Sequence, residues 1–295
     1  MIISGGEIML ITETSKITKL TKKAIEYYIE QALVCPLILE NGYRDFNDYD
    51  IERLNRIAVL RKLGFSIEEI KEVFADENGE TLKKLALQKE LTLQKEHAKN
   101  ALIDQLSSGK DYGDISRELK AIDMNTTIVD KLLDSFPGYY GRFICLHFAH
   151  FLKEPIRTEE QLSAYEEIVD FLDKVPDLTF PKDLEVYLDE ATKDISINKM
   201  NEMIMNTQHS MRNPDEFLAE HEEFIENYLA YKQSEEYKSS QVYHMSEMLK
   251  EFNNSNGYYD LFIPAMKRLS PSYSEYLDHI ALANEKINAL LHTDI

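Results

Sequence analysis

A chain of 295 residues is long enough for two domains of ordinary size, each with its own core. Hydrophobic content of 43% marks a soluble globular protein, and apolar runs such as Phe143 to Phe151, interrupted by His147 and His150, are far too short to span a bilayer. The net charge of −20 opposes binding to a polyanion, but it is unevenly spread: Leu10 to Ala75 carries ten Lys and Arg against eleven Asp and Glu, and Asp76 to Ile295 carries twenty-three against forty-one.

Taken in chain order, a first helix is predicted from just after Thr12 to near Lys19, and a second from Thr21, as N-cap, to about Ala32. On the second, Ala24, Ile25, Tyr28, Ile29 and Ala32 recur at helical spacing and face a core, which turns Lys22, Lys23, Glu26 and Tyr27 outward. Pro36 blocks continuation of the helix, and Asn41-Gly42 is a turn signal between Leu37-Ile38-Leu39 and Tyr43-Arg44-Asp45-Phe46, so a small hairpin follows. Asn47 caps a third helix bearing Ile51, Leu54, Ile57 and Ala58. Ser66 with Glu69 forms a capping box for a fourth through Phe74, and Gly64 suits the junction between them.

The order Ser15-Lys16, Tyr27-Tyr28, Leu33-Val34-Cys35-Pro36, Asn41-Gly42-Tyr43-Arg44, Leu60-Arg61-Lys62-Leu63-Gly64-Phe65-Ser66 and Glu68-Glu69-Ile70 resembles the winged helix-turn-helix head of MerR-type transcription regulators. The family pattern runs alanine-lysine, a turn, an arginine before a tyrosine pair, a Gly-Leu-Leu/Ile-x-Pro exit, Asn-Gly-Tyr-Arg, then Leu-Arg-x-Leu-Gly-Phe-Ser. The resemblance implies a DNA-binding domain at residues 9–76 that reads a palindromic promoter site as a homodimer and acts with RNA polymerase by changing the conformation of double-stranded promoter DNA. Its implied contacts are Lys16, Lys19, Lys22, Lys23 and Tyr27 on or before the second helix and Tyr43 and Arg44 in the wing, most of them to phosphate. The chain departs from the pattern where Glu26 replaces the arginine before the tyrosine pair, Lys19 a turn glycine, Ile29 a glutamate and Ile38 a wing arginine, and the loss of cations predicts weaker binding.

Residues 77–109 are expected to hold a dimerisation helix. After the polar break at Asp76 to Gly79, Glu80 to Leu106 contains neither proline nor glycine, and Leu87, Leu91, Gln94, Ala98, Ala101 and Gln105 alternate at steps of four and three like a coiled-coil seam. An antiparallel dimer helix and a solvated connector both satisfy that pattern, and the resemblance favours the dimer. From residue 110 to 295 no alternating strand pattern stands out, whereas helix starts do: Thr158 with Gln161, Asn213-Pro214 and Ser270-Pro271. The chain is thus expected to be mainly α, with an all-helical effector domain of about seven to nine helices behind the long helix.

Within that domain Phe136 to Phe143 opens the densest aromatic region. Tyr139, Tyr140, Phe143, His147, Phe148 and Phe151 are candidate effector-binding residues suited to a planar, lipophilic or cationic small molecule, with packed core as the alternative. Met200, Met203, Met205 and Met211 read either as an adaptable pocket lining or as core filling. Cys145, His147 and His150 lie close enough in sequence for a metal, but the apolar residues around them favour core histidines, and the cysteines that the family's metal sensors carry at the dimer helix are missing; no metal or cofactor is expected. Glu159-Glu160, Glu166-Glu167 and Glu222-Glu223 read as solvated faces, and no nucleophile elbow, phosphate loop, HExxH or dinucleotide fingerprint points to an enzyme. A protein-docking or ligand-sequestering role for the C-terminal domain is the rival reading. Met1 to Glu7 lacks the basic region and cleavage site of a secretory signal, and Cys35 and Cys145 form no CxxC pattern, so a cytoplasmic protein without a disulfide or a membrane partner is expected.

Overall fold

The computed structural model describes residues 8–76, 78–136 and 138–291, so the start at Met1 to Glu7 and Pro137 of the aromatic segment lie outside the described residues. The chain is mainly α, with 77% of it helical, and divides after Leu85 into two compact units.

The first unit contains α1 (Ile11–Thr18), α2 (Lys22–Glu30), β1 (Leu37–Ile38), β2 (Arg44–Asp45), α3 (Asp48–Lys62) and α4 (Ile67–Ala75). Its strands pair antiparallel with Leu37 opposite Asp45 and Ile38 opposite Arg44. The turn between them is closed by Gly42 N–H donating to Leu39 O (2.8 Å), with Gly42 at φ +81°. That sign of φ is why a glycine follows Asn41 there. Side chains cap the helices as their sequences predict: Thr21 accepts from Ala24 N–H (3.1 Å), Asn47 from Asp50 N–H (2.9 Å) and Ser66 from Glu69 N–H (3.1 Å). Ile25, Tyr28, Leu33, Val34, Phe46, Leu54, Ile57 and Ile70 close the core of this unit.

One residue of α2 departs from its expected place. Ala32 is exposed, beyond the end of the helix, at φ +57°. Its N–H bonds to Ile29 O (2.9 Å) and Leu33 N–H to Tyr28 O (2.9 Å), the paired bonds that end a helix through a left-handed residue. The same pair recurs after α3, where Gly64 N–H reaches Arg61 O and Phe65 N–H reaches Leu60 O, with glycine in the left-handed position at φ +83°. Apolar spacing assigns Ala32 to the core face, but the bonds that terminate the helix rotate it away.

The second unit begins inside α5 (Glu80–Ser107) and continues with α6 (Tyr112–Ser135), α7 (Gly138–Ala149), α8 (Glu159–Lys174), α9 (Lys182–Thr192), α10 (Ile197–Arg212), α11 (Pro214–Glu220), α12 (Glu222–Gln233), α13 (Glu235–Lys238), α14 (Gln241–Ser255), a π-helical turn (Tyr258–Phe262), α15 (Ile263–Leu269) and α16 (Pro271–Leu291). Among the described residues eleven α-helices follow α5, more than the seven to nine expected, because the chain restarts at His221 and at Ser234 without a proline or glycine break that a sequence would show. Packing of α8 on α15 and of α6 on α7 and α8 organises the core. Gly141 on α7 allows the closest approach, since a Cβ there would lie 1.7 Å from the carbonyl oxygen of Phe136. Leu87 is fully buried in this core and Leu91 packs against it, so the first two positions of the proposed coiled-coil seam are taken up within the unit itself.

His147 sits among aromatic rings, with centroids 5.1 Å from Phe148, 5.3 Å from Phe151 and 5.5 Å from Tyr276. Burial, and then His150 nearby, push its pKa down to about 4, because the charged imidazolium loses water without gaining an anion. A histidine depressed in the folded state favours folding fully above its unfolded pKa, and that contribution is lost as pH falls through 6.5 toward 4.

Two outcomes are expected. Ala32→Gly raises the unfolding free energy by about 1 kcal/mol, because it relieves a left-handed backbone at an alanine; an unchanged or lower denaturation midpoint overturns the helix-end argument. Replacing the buried imidazole, His147→Phe, removes about 2 kcal/mol of the stability lost between pH 7 and pH 5. Chemical denaturation of both proteins at the two pH values measures this, and equal losses contradict it.

Candidate nucleic-acid interface and C-terminal aromatic cluster

The turn between α1 and α2 is fixed by short-range bonds. Ser15 Oγ donates to Leu20 O (2.6 Å) and Thr18 Oγ1 to Thr14 O (2.7 Å), while Lys19 takes the left-handed conformation at φ +57°. This geometry sets where α2 starts. Ile25 and Tyr28 point into the core, and Lys22, Lys23, Glu26 and Tyr27 stand exposed along the opposite face, Tyr27 being 45% accessible. Lys16 and Lys19 are exposed on α1 and in the turn, and Tyr43 and Arg44 are exposed in the hairpin, so all seven sequence-derived contact residues are accessible.

Among the described residues Lys16, Lys19, Lys22, Lys23, Arg44 and Lys62 form no ion pair or side-chain hydrogen bond, whereas the other cations of this unit are already engaged. Arg53 donates to the Leu33 carbonyl and, at 3.1 Å, to the Tyr49 hydroxyl, and it lies 4.2 Å from the centroid of the Phe74 ring. Arg56 shares that ring at 5.1 Å, Arg61 bonds to the Phe65 carbonyl, and Lys71 bonds to Gln31 (3.2 Å). Arg53 holds the chain leaving α2, Arg61 holds the turn after α3, and the unengaged cations stand in solvent. Sequence reading missed the positioning role of Arg53, whose partners lie twenty and twenty-one residues away and give no local signal.

In the second unit the six aromatic candidates form one packed assembly. Tyr139 stacks on Phe143 (6.4 Å) and Phe143 on His147 (6.5 Å), Phe148 meets Phe262 edge-on (5.1 Å), and Phe151 meets Tyr273 and Tyr276 (5.1 Å each). Tyr140 packs against Phe136 (5.9 Å), and burial raises its phenol pKa to about 12. These rings contact one another. Met200 is buried core, whereas Met203 and Met205 are exposed, so the methionines do not gather around one pocket. Cys145 is buried with Sγ 3.6 Å from Val129 O, and no set of three or more His, Cys, Asp or Glu side chains is gathered for a metal among the described residues. This unit has a cleft of about 850 Å³, bordered by α5, α6, α7, the loop after α7 and Asn201 of α10. Of the residues sequence reading singled out for a ligand or a metal, only His150 reaches it. No helix of the described residues is long and apolar enough to cross a membrane.

Residues 9–77 match the family described as MerR HTH family regulatory protein. The HTH-type transcriptional regulator CueR of Vibrio cholerae is 28% identical over 134 residues, covering 45% of this chain and 84% of that protein. CueR of Escherichia coli O6:H1 is 37% identical over 89 residues, 26% of this chain and 66% of its own length. The HTH-type transcriptional activator mta of Bacillus subtilis is 26% identical over 165 residues, which is 52% of this chain and 60% of that protein. No solved structure matches the chain. With its capped helices, hairpin and exposed α2 face joined to these likenesses, the chain belongs, through residues 9–77, to the MerR family of transcriptional regulators.

Proposed function

We propose that the protein binds a palindromic promoter site as a homodimer and that a small molecule bound in its C-terminal unit changes the conformation of the DNA, realigning the promoter for RNA polymerase in the cytoplasm. The observation that carries the reading is the exposed face of α2: Lys22, Lys23 and Tyr27, flanked by Lys16, Lys19 and the hairpin's Tyr43 and Arg44, in a unit whose other arginines are spent on its own structure. Lysines and Arg44 neutralise phosphates and set register, while Tyr27 supplies a flat ring with a hydroxyl donor. Glu26 lies on the same face and repels phosphate, which limits affinity in one head and makes a second head necessary for tight binding.

Exposed apolar side chains support the homodimer. Leu93 and Ile103 stand open on α5, and Val59 on α3 and Leu63 at its C-cap stand one turn apart and open. Of the expected seam, Leu87 is buried within the protomer and Leu91, Gln94, Ala98, Ala101 and Gln105 border an open cleft, so we assign the dimer contact to the side of α5 that carries Leu93 and Ile103. Regulation requires that the ligand favour one DNA conformation over the other, with the energy difference read as promoter deformation.

Salt titrations of promoter binding test the contact face. Arg44→Ala is expected to weaken binding to all sequences alike and to flatten the salt slope by about one unit, and Glu26→Arg to strengthen binding and steepen it. Tyr27→Ala is expected to cost about tenfold in affinity. Unchanged affinity in all three variants sinks the assignment. Energy transfer between dyes at the two ends of a promoter fragment measures the second step: bending that is the same with and without a saturating effector rules out control through DNA conformation.

A further inference from the structure

The cleft of the C-terminal unit carries a chemistry opposite to that of the protein around it. Its walls are apolar in the middle, where Leu91 and Leu102 of α5 face Ile122 of α6 and Leu146 of α7. Its charged lining is mostly cationic: Lys95, Lys110, Lys153 and Arg157 border it, against Glu118 as the one lining carboxylate among the described residues. This occurs in a chain of net charge −20.

Two of the four cations are compensated. Lys95 pairs with Asp123 (2.8 Å) and Lys110 with Glu118 (2.5 Å). Lys153 and Arg157, on the loop between α7 and α8, make no ion pair or side-chain hydrogen bond among the described residues. His150 lies beside them, hydrogen-bonded to Asn201, and its pKa is held down first by burial and then by the charge of Lys153, which places that charge near the wall. The cleft therefore has an apolar interior and an uncompensated positive end. A volume of about 850 Å³ falls within the range of small-molecule sites.

We infer that this cleft binds an amphipathic anion, with its apolar body against Leu91, Leu102, Ile122 and Leu146 and its carboxylate, sulfonate or phosphate head at Lys153 and Arg157. The assignment deepens the regulator reading by naming the ligand class and rests on that reading for its regulatory meaning. It replaces the aromatic cluster as the ligand site, because the rings of that cluster occupy one another. A cationic lipophile, which a bare aromatic surface would favour, is repelled by the two uncompensated charges. Glu154, Glu159 and Glu160 lie close along the chain, but none of them borders the cleft or pairs with either cation among the described residues, and carboxylates more than a Debye length of about 8 Å away are largely screened at physiological salt.

Calorimetric titration of the full-length protein without DNA tests this, with dodecanoate and dodecyltrimethylammonium as matched probes of equal chain length and opposite charge. Dodecanoate is expected to bind once per protomer and the ammonium at least ten-fold more weakly. Lys153→Glu with Arg157→Glu is expected to lower dodecanoate affinity at least ten-fold and to narrow the gap between the probes. Both residues are exposed, so the far-ultraviolet circular dichroism and denaturation midpoint should be kept, and Ile122→Trp, which fills the cleft from the opposite wall, is expected to block dodecanoate as well. Equal or tighter binding of the ammonium, dodecanoate affinity within two-fold of the parent in the charge-reversed protein, or no binding of dodecanoate overturns the inference. So does a dimer that forms in the parent but not in the charge-reversed protein when neither binds dodecanoate, which would assign the cleft to a second copy. Dodecanoate binding in a protein that fails to bind promoter DNA leaves the cleft standing and removes the regulator reading. Promoter binding without dodecanoate binding does the reverse.

Discussion

Electrostatic separation is the constraint on which this protein depends, for a chain of net charge −20 that meets a polyanion has to keep its acid away from the contact face. Most of the excess lies from Asp76 on, leaving Leu10 to Ala75 close to neutral with ten cations. A near-neutral head has no charge to waste, and its cations are divided by task. Arg53, Arg56 and Arg61 lie over the Phe74 ring or bond to backbone carbonyls, where a planar guanidinium makes directed contacts that a lysine cannot. The lysines of α1 and α2 remain in solvent, where a compact charge on a flexible stem suits phosphate. Under the proposed function, repulsion between the acidic second unit and DNA would favour contact through the first unit.

Rigidity of that face comes from the ends of α1 and α2, and it is maintained against a backbone penalty. Lys19 and Ala32 are the non-glycine residues with positive φ among those described, and they stand at the two turns that bracket α2. Neither residue prefers that region, so the surrounding bonds have to hold it: Ser15 to Leu20 at one end, and at the other Leu33 N–H to Tyr28 together with Arg53 on the Leu33 carbonyl. At the first turn lysine puts a cation where glycine would give only an easier backbone. The trade is understandable in a head short of positive charge. Ala32 has no such compensation.

Much of the head was legible in sequence because its signals are local. A cap and its partner lie three residues apart, Asn41-Gly42 defines its turn within four residues, and helical spacing separates Lys22 and Tyr27 from Ile25 and Tyr28. Ala32 was misplaced because spacing alone does not show which turn of a helix is its last. The C-terminal unit gave less. Its aromatic residues could be counted, but whether Phe148 faces a ligand or Phe262 depends on a contact across 114 residues of chain. Helix ends at His221 and Ser234 carry no proline or glycine, and the need for a glycine at position 141 arises only where α7 crosses the carbonyl of Phe136. The cleft had one readable trace, Lys153 and Arg157 flanking Pro155 in an acidic domain, but a charge exception acquires meaning only once Leu91, Ile122 and Leu146 are found on the facing walls.

Control of a promoter by a ligand requires an element whose arrangement both sites bias. The helix α5 meets the first condition for such an element, since Leu85 belongs to the core of the first unit and Leu87, two residues on, to the core of the second. One wall of the cleft is the same helix, through Leu91, Ala98 and Leu102. A ligand lodged between α5 and the walls formed by α6 and α7 would lose contacts if α5 shifted away, so its binding energy would depend on the position of α5 rather than on the cleft alone. That dependence is the differential affinity that any population shift demands. A ligand held entirely within the aromatic cluster would be surrounded by α7, the π-turn and α16, and would have no comparable grip on α5. The case for the cleft as the regulatory site therefore rests on which helix it touches as much as on its charge.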